Sequence, residues 1–325
     1  MRYIKLTAFI FLGVILLCAF SFFTNNNHYG TWTITSLRND KEIPWARFYW
    51  GGADLNGKRY DRMYMFVPVK IEGLPYNFSL QFDLGDPYTE LYEKNMQSVF
   101  IRHPRMQDQY RRLKGPLQFW NSNKSFKNLS VEAGDIRLFS ENCVVKSGYG
   151  DMLSIRSADD TLHLGTLGAD AFQNKVLIID YPNQRFAICE SLPEAYKTAF
   201  VDMEFGSDRK IIIPMSFRGK QFRVTFDNGS SMFPLITQAR YIDRFSTGAN
   251  VDTVRISSWG QYHNVTGRLM KDSFDLAGQR FANVLVYANH SGYGMDTKTD
   301  AMTGNALFWV KVVVIDFKNR KFGVK

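Results

Sequence analysis

The chain spells Phe78-Ser-Leu-Gln-Phe82-Asp83-Leu84-Gly85 and, 144 residues later, Phe222-Arg-Val-Thr-Phe226-Asp227-Asn228-Gly229. Alternation of period two before each Asp predicts a half-buried strand, and the Asp-x-Gly that follows predicts a tight turn. Working outward, Leu91 and Leu235 keep the same offset. Upstream, Pro68-Val-Lys-Ile-Glu-Gly73 matches Pro214-Met-Ser-Phe-Arg-Gly219 at an offset of 146, and the two-residue difference falls in the turn at Leu74-Pro75-Tyr76. Downstream, Ser147-Gly-Tyr-Gly150 recurs as Ser291-Gly-Tyr-Gly294. Residues 168–188 line up with 304–324 at an offset of 136, sharing Phe172/Phe308, Lys175/Lys311, Asp180/Asp316, Asn183/Asn319 and Phe186/Phe322.

Four blocks in one order at nearly constant offsets identify an internal duplication. A solenoid needs three or more units with a period of about 20–50 residues. Two much longer copies predict a pair of lobes related by a pseudo-twofold axis. We read lobe one over 61–190, a connector at 191–206 and lobe two over 207–325. Residues 28–60 form an extension without a counterpart before lobe two, suited to an edge strand or a packing layer beside a membrane. Val176–Asp180 and Val312–Asp316 are β-branched runs, each followed by a turn carrying Asn183 or Asn319 and a return strand. The expected fold class is all-β, two homologous β-rich lobes, with helical pattern only over Tyr92–Leu113 and Thr237–Phe245.

Asp83 and Asp227 occupy the same place in the two lobes, so a twofold axis between the lobes brings their carboxyls together. Two carboxylates about 3 Å apart cannot both ionise and share one proton. The charged one can deprotonate a bound water while the protonated one donates to a substrate carbonyl, which hydrolyses a peptide bond without a metal or a covalent intermediate. Gly85 and Gly229 let the backbone turn tightly and approach the site.

These motifs resemble the aspartic protease family, pepsin-like in having two lobes and retropepsin-like in their compactness. The resemblance covers most of 61–325 and rests on FDLGD at 82–86, FDNGSS at 226–231 and the later blocks Thr166-Leu167-Gly168-Ala169 and Met302-Thr303-Gly304-Asn305. It implies a β-rich fold, acid proteolysis of polypeptides in a cleft between lobes, and a later block packed behind each catalytic loop. It places Asp83 and Asp227 as the catalytic pair, with Gly85, Gly229, Leu84, Asn228 and Ser230 supporting them. The family pattern is Asp-Thr/Ser-Gly, whose hydroxyls cross-link the two loops. Leu84 cannot make that bond, Asn228 can make only a different one, and Asp86 adds a third carboxylate that raises the pair's repulsion if it points inward. Ser230-Ser231 keeps the family's pattern. The alternative function is a catalytically inactive relative that holds an extended peptide in the cleft.

The rest of the composition narrows the classes. Three Cys exclude a disulfide scaffold, leaving Cys143 and Cys189 outside the leader either bridged or as two buried thiols. Five His, none at HxxxH spacing, give no metal motif, and neither a metal nor a cofactor is expected. No G-x-S-x-G occurs and no Cys sits in a nucleophile motif. The formal charge is +9, or +7 without Arg2 and Lys5, but the basic residues are scattered, so nucleic acid is not an expected partner. Both half-sites lie in one chain, so no dimer is required.

Arg2 and Lys5 precede an apolar run, Leu6–Phe23, of 18 residues, within the roughly 17–25 that span a membrane. We read 1–27 as an uncleaved signal-anchor plus the polar linker Asn25–Asn27, which puts the globular part outside the cytoplasm. Secretion after cleavage near Ala19-Phe20-Ser21 is the alternative, and bulky Leu16 and Leu17 argue against lipid attachment at Cys18. Asn77 and Asn228 head glycosylation sequons, and a glycan on Asn228 would block the cleft, which favours a bacterial source. Tyr149 and Tyr293 are read as turn and packing residues, Trp120 and Trp259 as core near cleft-covering hairpins (115–131 and 254–274), and Asp180 and Asp316 as turn caps.

Overall fold

Each repeat builds a sheet of its own, and the two share a third. The computed structural model describes residues 31–325 except 39–41, 56, 113–123, 158–159, 259–260 and 293. A nine-stranded sheet comes from the first repeat and its upstream extension, and a ten-stranded sheet from the second repeat. The third sheet has six strands, in the order Phe200–Asp202, Lys321–Val324, Val312–Asp316, Val176–Asp180, Arg185–Cys189 and Trp45–Arg47. The molecule is mostly β, as the alternation predicts.

The centre of the shared sheet shows the symmetry directly. Val176–Asp180 runs antiparallel to Val312–Asp316, with Val176 opposite Asp316, Ile178 opposite Val314 and Asp180 opposite Val312. Ile178 and Val314 are the same position of the repeat, so this register is the one a twofold axis through that pair produces. Both strands are covered on two faces, which is why they read as continuous apolar runs. The matched acids close the following turns. Asp180 accepts from the Asn183 backbone N–H at 3.2 Å, and Asp316 from that of Asn319 at 2.9 Å.

The edges of this sheet differ from the sequence reading. Trp45–Arg47 pairs with 185–187 on one side, and Phe200–Asp202 pairs with 321–323 on the other. These are equivalent places, so the extension does have a counterpart, inside 191–206. A three-residue edge strand contributes backbone hydrogen bonds and little side-chain packing, too weak a constraint to leave matching residues. The extension also edges the nine-stranded sheet through Thr33–Ser36. Its hairpin, Tyr49–Leu55 with Lys58–Ile71, reaches the second half, where Leu55 and Tyr60 pack with Phe233, Ile236 and Tyr287. Lys58 Nζ lies 3.7 Å from Asp252 there.

Within each half, one later strand is inserted between the arms of the Asp loop. Thr161–Leu167 runs parallel to Asn77–Phe82 and antiparallel to Glu90–Tyr92, and Ala301–Thr303 does the same between Lys220–Phe226 and Leu235–Gln238. Helices follow the Asp loops but are shorter than the patterns. The first runs Glu93–Arg102 and breaks at His103 (φ −128°, ψ 70°), because a residue before proline is pushed out of the helical region. The second is a 3₁₀ turn, Ala239–Tyr241, and one α-turn, Ile242–Phe245.

Cys143 is buried and Cys189 half-buried, and both are free thiols. Among the described residues no helix is long and apolar enough to cross a membrane. Leu6–Phe23, Trp120, Trp259 and Tyr293 lie outside the described residues.

Candidate active site

The strands that carry the two acids are pinned by matched aromatics. Phe82 packs tilted, at 5.3 and 5.1 Å between ring centroids, against Phe172 and Phe186, and Phe226 packs edge-on, at 5.7 and 5.1 Å, against Phe308 and Phe322. Both anchors are fully buried, so the residue after each is delivered to a fixed place. The Asp83 N–H donates to Leu167 O at 3.0 Å and the Asp227 N–H to Thr303 O at 2.9 Å. Each carboxylate then folds back on its own loop: Asp83 Oδ1 accepts from the Gly85 N–H at 2.9 Å and Asp227 Oδ1 from the Gly229 N–H at 2.8 Å. Gln81 Nε2 donates to Asp83 Oδ2 at 3.4 Å.

The glycines are where the halves meet. A β-carbon on Gly85 would lie 2.4 Å from the Asp227 carboxyl, and one on Gly229 would lie 2.3 Å from that of Asp83. Each carboxyl therefore rests on the other loop's glycine. Behind the loops, Gly168 and Gly304 are pressed onto backbone, with imagined β-carbons 2.3 Å from Tyr88 O and 1.7 Å from Ser230 O. The later blocks thus pack against the Asp loops. Ser230 lines the cleft, and its N–H closes the turn on Asp227 O at 3.1 Å.

One side chain cross-links the two loops, in one direction only. The Leu84 N–H donates to Asn228 Oδ1 at 2.5 Å across the axis, while the Leu84 side chain is packed into the core and returns nothing. The Asn228 carbonyl is tied in turn by Ser231 Oγ at 2.8 Å and Asn305 Nδ2 at 2.7 Å, and Tyr181 OH donates to Asn305 Oδ1 at 2.6 Å. Asn305 and Tyr181 are supports that the repeat comparison missed, because Asn305 stands opposite Ala169 in the alignment.

Burial dominates the electrostatics. It drives the Asp83 carboxyl well above the usual carboxylate range, and the charges of Asp227 and Asp86 push it further. Asp227 is raised too, again by burial, but its bonds from Asp83, Gly229 and Ser230 hold it down. Both carboxyls are thus held above the ordinary range, as expected of two adjacent acids that share one proton. Asp86 does point inward. It is buried, Oδ2 has no partner among the described residues, and burial first, then the Glu90 charge, push it up to about 7.

A carboxyl raised in the fold and ordinary in the unfolded chain binds its proton more tightly when folded. Stability is full below about pH 4 and falls as pH rises to about 7. The Asp86 share is about 4 kcal/mol at most, from about three pH units at 1.36 kcal/mol each. Asp86→Asn keeps the acceptor for the Tyr88 N–H at 3.1 Å and removes the charge. It is expected to match the parent at pH 4 in urea unfolding and to exceed it at pH 8. Equal stability at both pH values would show that Asp86 carries no such burden.

Above the pair lies a cleft of about 680 Å³. Tyr64, Tyr92 and Tyr149 line it from the first half, and Lys210, Ile256 and His263 from the second. Tyr149, read from sequence as a turn residue, is part of the wall. It meets Tyr92 edge-on at 4.7 Å.

No protein-family model and no curated protein matches the chain. Among solved structures it is similar to an aspartic proteinase from Irpex lacteus at 12% identity and a TM-score of 0.45, over 87% of this chain and 97% of that one. It is also similar to basic 7S globulin from soybean at 9% identity and a TM-score of 0.45, over 87% of this chain and 95% of that one.

Proposed function

We propose that this chain is an aspartic endopeptidase. The observation that carries the reading is the reciprocal seat of two half-buried carboxyls, each over the other loop's glycine. In this scheme a peptide lies in the cleft with a water between the acids. The charged acid of the pair takes a proton from the water as it attacks the scissile carbonyl. The protonated one gives its proton to the carbonyl oxygen, and the tetrahedral diol then collapses as a proton passes to the leaving nitrogen.

The full-length protein is expected to cleave an unfolded polypeptide with a bell-shaped pH profile. Its alkaline limb lies above the ordinary carboxylate range, because the pair holds its shared proton there. A hydroxyl-bearing peptide that mimics the tetrahedral state should suppress cleavage. The one-sided cross-link at Leu84 favours a second reading, a protein that binds extended peptides without cutting them. Binding of peptides with no cleavage anywhere from pH 3 to 8 would decide for that reading.

A further inference from the structure

Lys210 stands immediately before the strand Ile211–Phe217, at the repeat position of Tyr64, and both residues line the cleft. Among the described residues it is the one Lys or Arg in that lining. It is half-buried, and its ammonium makes no ion pair or hydrogen bond with any described residue. Its charge lowers the Asp227 carboxyl against the larger effect of burial. A half-buried cation with no ion pair among the described residues, and only the cleft acids near it, is poorly compensated by its own fold.

The backbone leading to it is forced. Asp208 (φ 55°) and Arg209 (φ 60°) are consecutive non-glycine residues in the left-handed region. Such strain persists where the surroundings fix it. Here Arg209 Nη1 donates to Pro87 O at 3.2 Å, and its guanidinium lies 5.0 Å from the Tyr88 ring centroid. The Gly206 N–H closes the turn on Lys210 O at 2.8 Å. The anchor is thus the other half's Asp loop, so the turn that presents Lys210 is fixed relative to both acids.

We infer that Lys210 is a substrate-binding residue that pairs with a carboxylate on the peptide beside the scissile bond, so that the cleft selects acidic substrates. This rests on the peptidase reading for the word scissile, while the pairing itself needs only that a peptide occupies the cleft. The net charge of +9 favours the approach of acidic chains as well. The carboxylate comes either from an Asp or Glu side chain or from a free peptide C-terminus.

The test uses full-length protein and matched peptides that carry Glu, Gln or Lys at each position around the bond, as free acids and as amides. Binding is read by fluorescence anisotropy on the Asp83→Asn variant, and kcat and KM on the parent. A carboxylate paired with a half-buried ammonium is expected to give about a tenfold preference for Glu over Gln at one position, or for acid over amide if the C-terminus is the partner. Lys210→Met loses the preference, Lys210→Arg keeps it, and Lys210→Glu turns it toward Lys. Equal binding of all peptides by the Asp83→Asn protein with Lys210 in place overturns the inference. So does a preference that survives Lys210→Met, or a Lys210→Met effect confined to the pH profile and alike for Glu and Gln, since Lys210 would then act only through Asp227. Cleavage without preference sinks this inference and leaves the peptidase reading. Preference in binding without cleavage sinks the peptidase reading and leaves this one.

Discussion

Asn in place of Asp227 or Asp83 is expected to lower the cleavage rate by on the order of 10³-fold or more, while the protein stays folded and still binds peptide. One positioned acid or base contributes roughly 10²–10⁴-fold, and here a single substitution removes both roles, because a lone carboxyl has no partner with which to share a proton. The amide is the size of the acid and keeps the oxygen that accepts from Gly229 at 2.8 Å or Gly85 at 2.9 Å. Stability should hold or rise, most of all above neutral pH, since one of two carboxyls whose desolvation raises them is gone. Initial rates on an unfolded substrate together with calorimetric melting check both halves of the expectation. A variant within tenfold of the parent rate would remove the pair from the chemistry.

Two glycine-to-alanine changes should separate chemistry from fold. In Gly229→Ala the new methyl falls 2.3 Å from the Asp83 carboxyl, which can swing aside about its own side-chain bonds. The expected result is about a hundredfold loss of rate, the usual cost of moving a reacting group by about 1 Å, with only a modest drop in Tm. In Gly304→Ala the methyl falls 1.7 Å from Ser230 O and 2.6 Å from Ser230 C, which are backbone and have nowhere to go. Gly304 sits at φ −104° and ψ −154°, a conformation open to any residue, so the cost there is steric alone. It should lose about 3 kcal/mol or more in urea unfolding. Equal stability losses in the two variants would mean that the Asp83 side chain is not the part that yields.

What the sequence made legible was whatever the duplication printed twice. Asp83, Asp227 and their glycines are visible because both halves need the same turn, and the later Gly blocks because both loops need the same backing. Residues without a matched partner were hidden. Asn305 faces Ala169, Lys210 faces Tyr64, and the one-way bond from Leu84 to Asn228 joins unlike residues. Tyr181 follows a matched acid, yet nothing in its neighbours shows that its hydroxyl reaches Asn305. An edge strand within 28–60 was one of the two roles open to the extension, but the match between Trp45–Arg47 and Phe200–Asp202 was hidden because edge pairing asks little of side chains. The helix after Glu93 was overextended because its apolar spacing runs on past Pro104.

The shared sheet also sets a clock. Synthesis delivers Asp83 first and Asp227 144 residues later, yet neither is seated on arrival. Phe322 is one of the rings that pin Phe226, and Val312–Asp316 is the strand that joins the halves at the axis. Until residues 312–324 have emerged, a growing chain carries one orphan acid and then two, with no geometry between them. Closing contacts over such sequence separations is slow. Through that interval the two acids are not held against each other, and under the peptidase reading proposed above the pair forms in a late step.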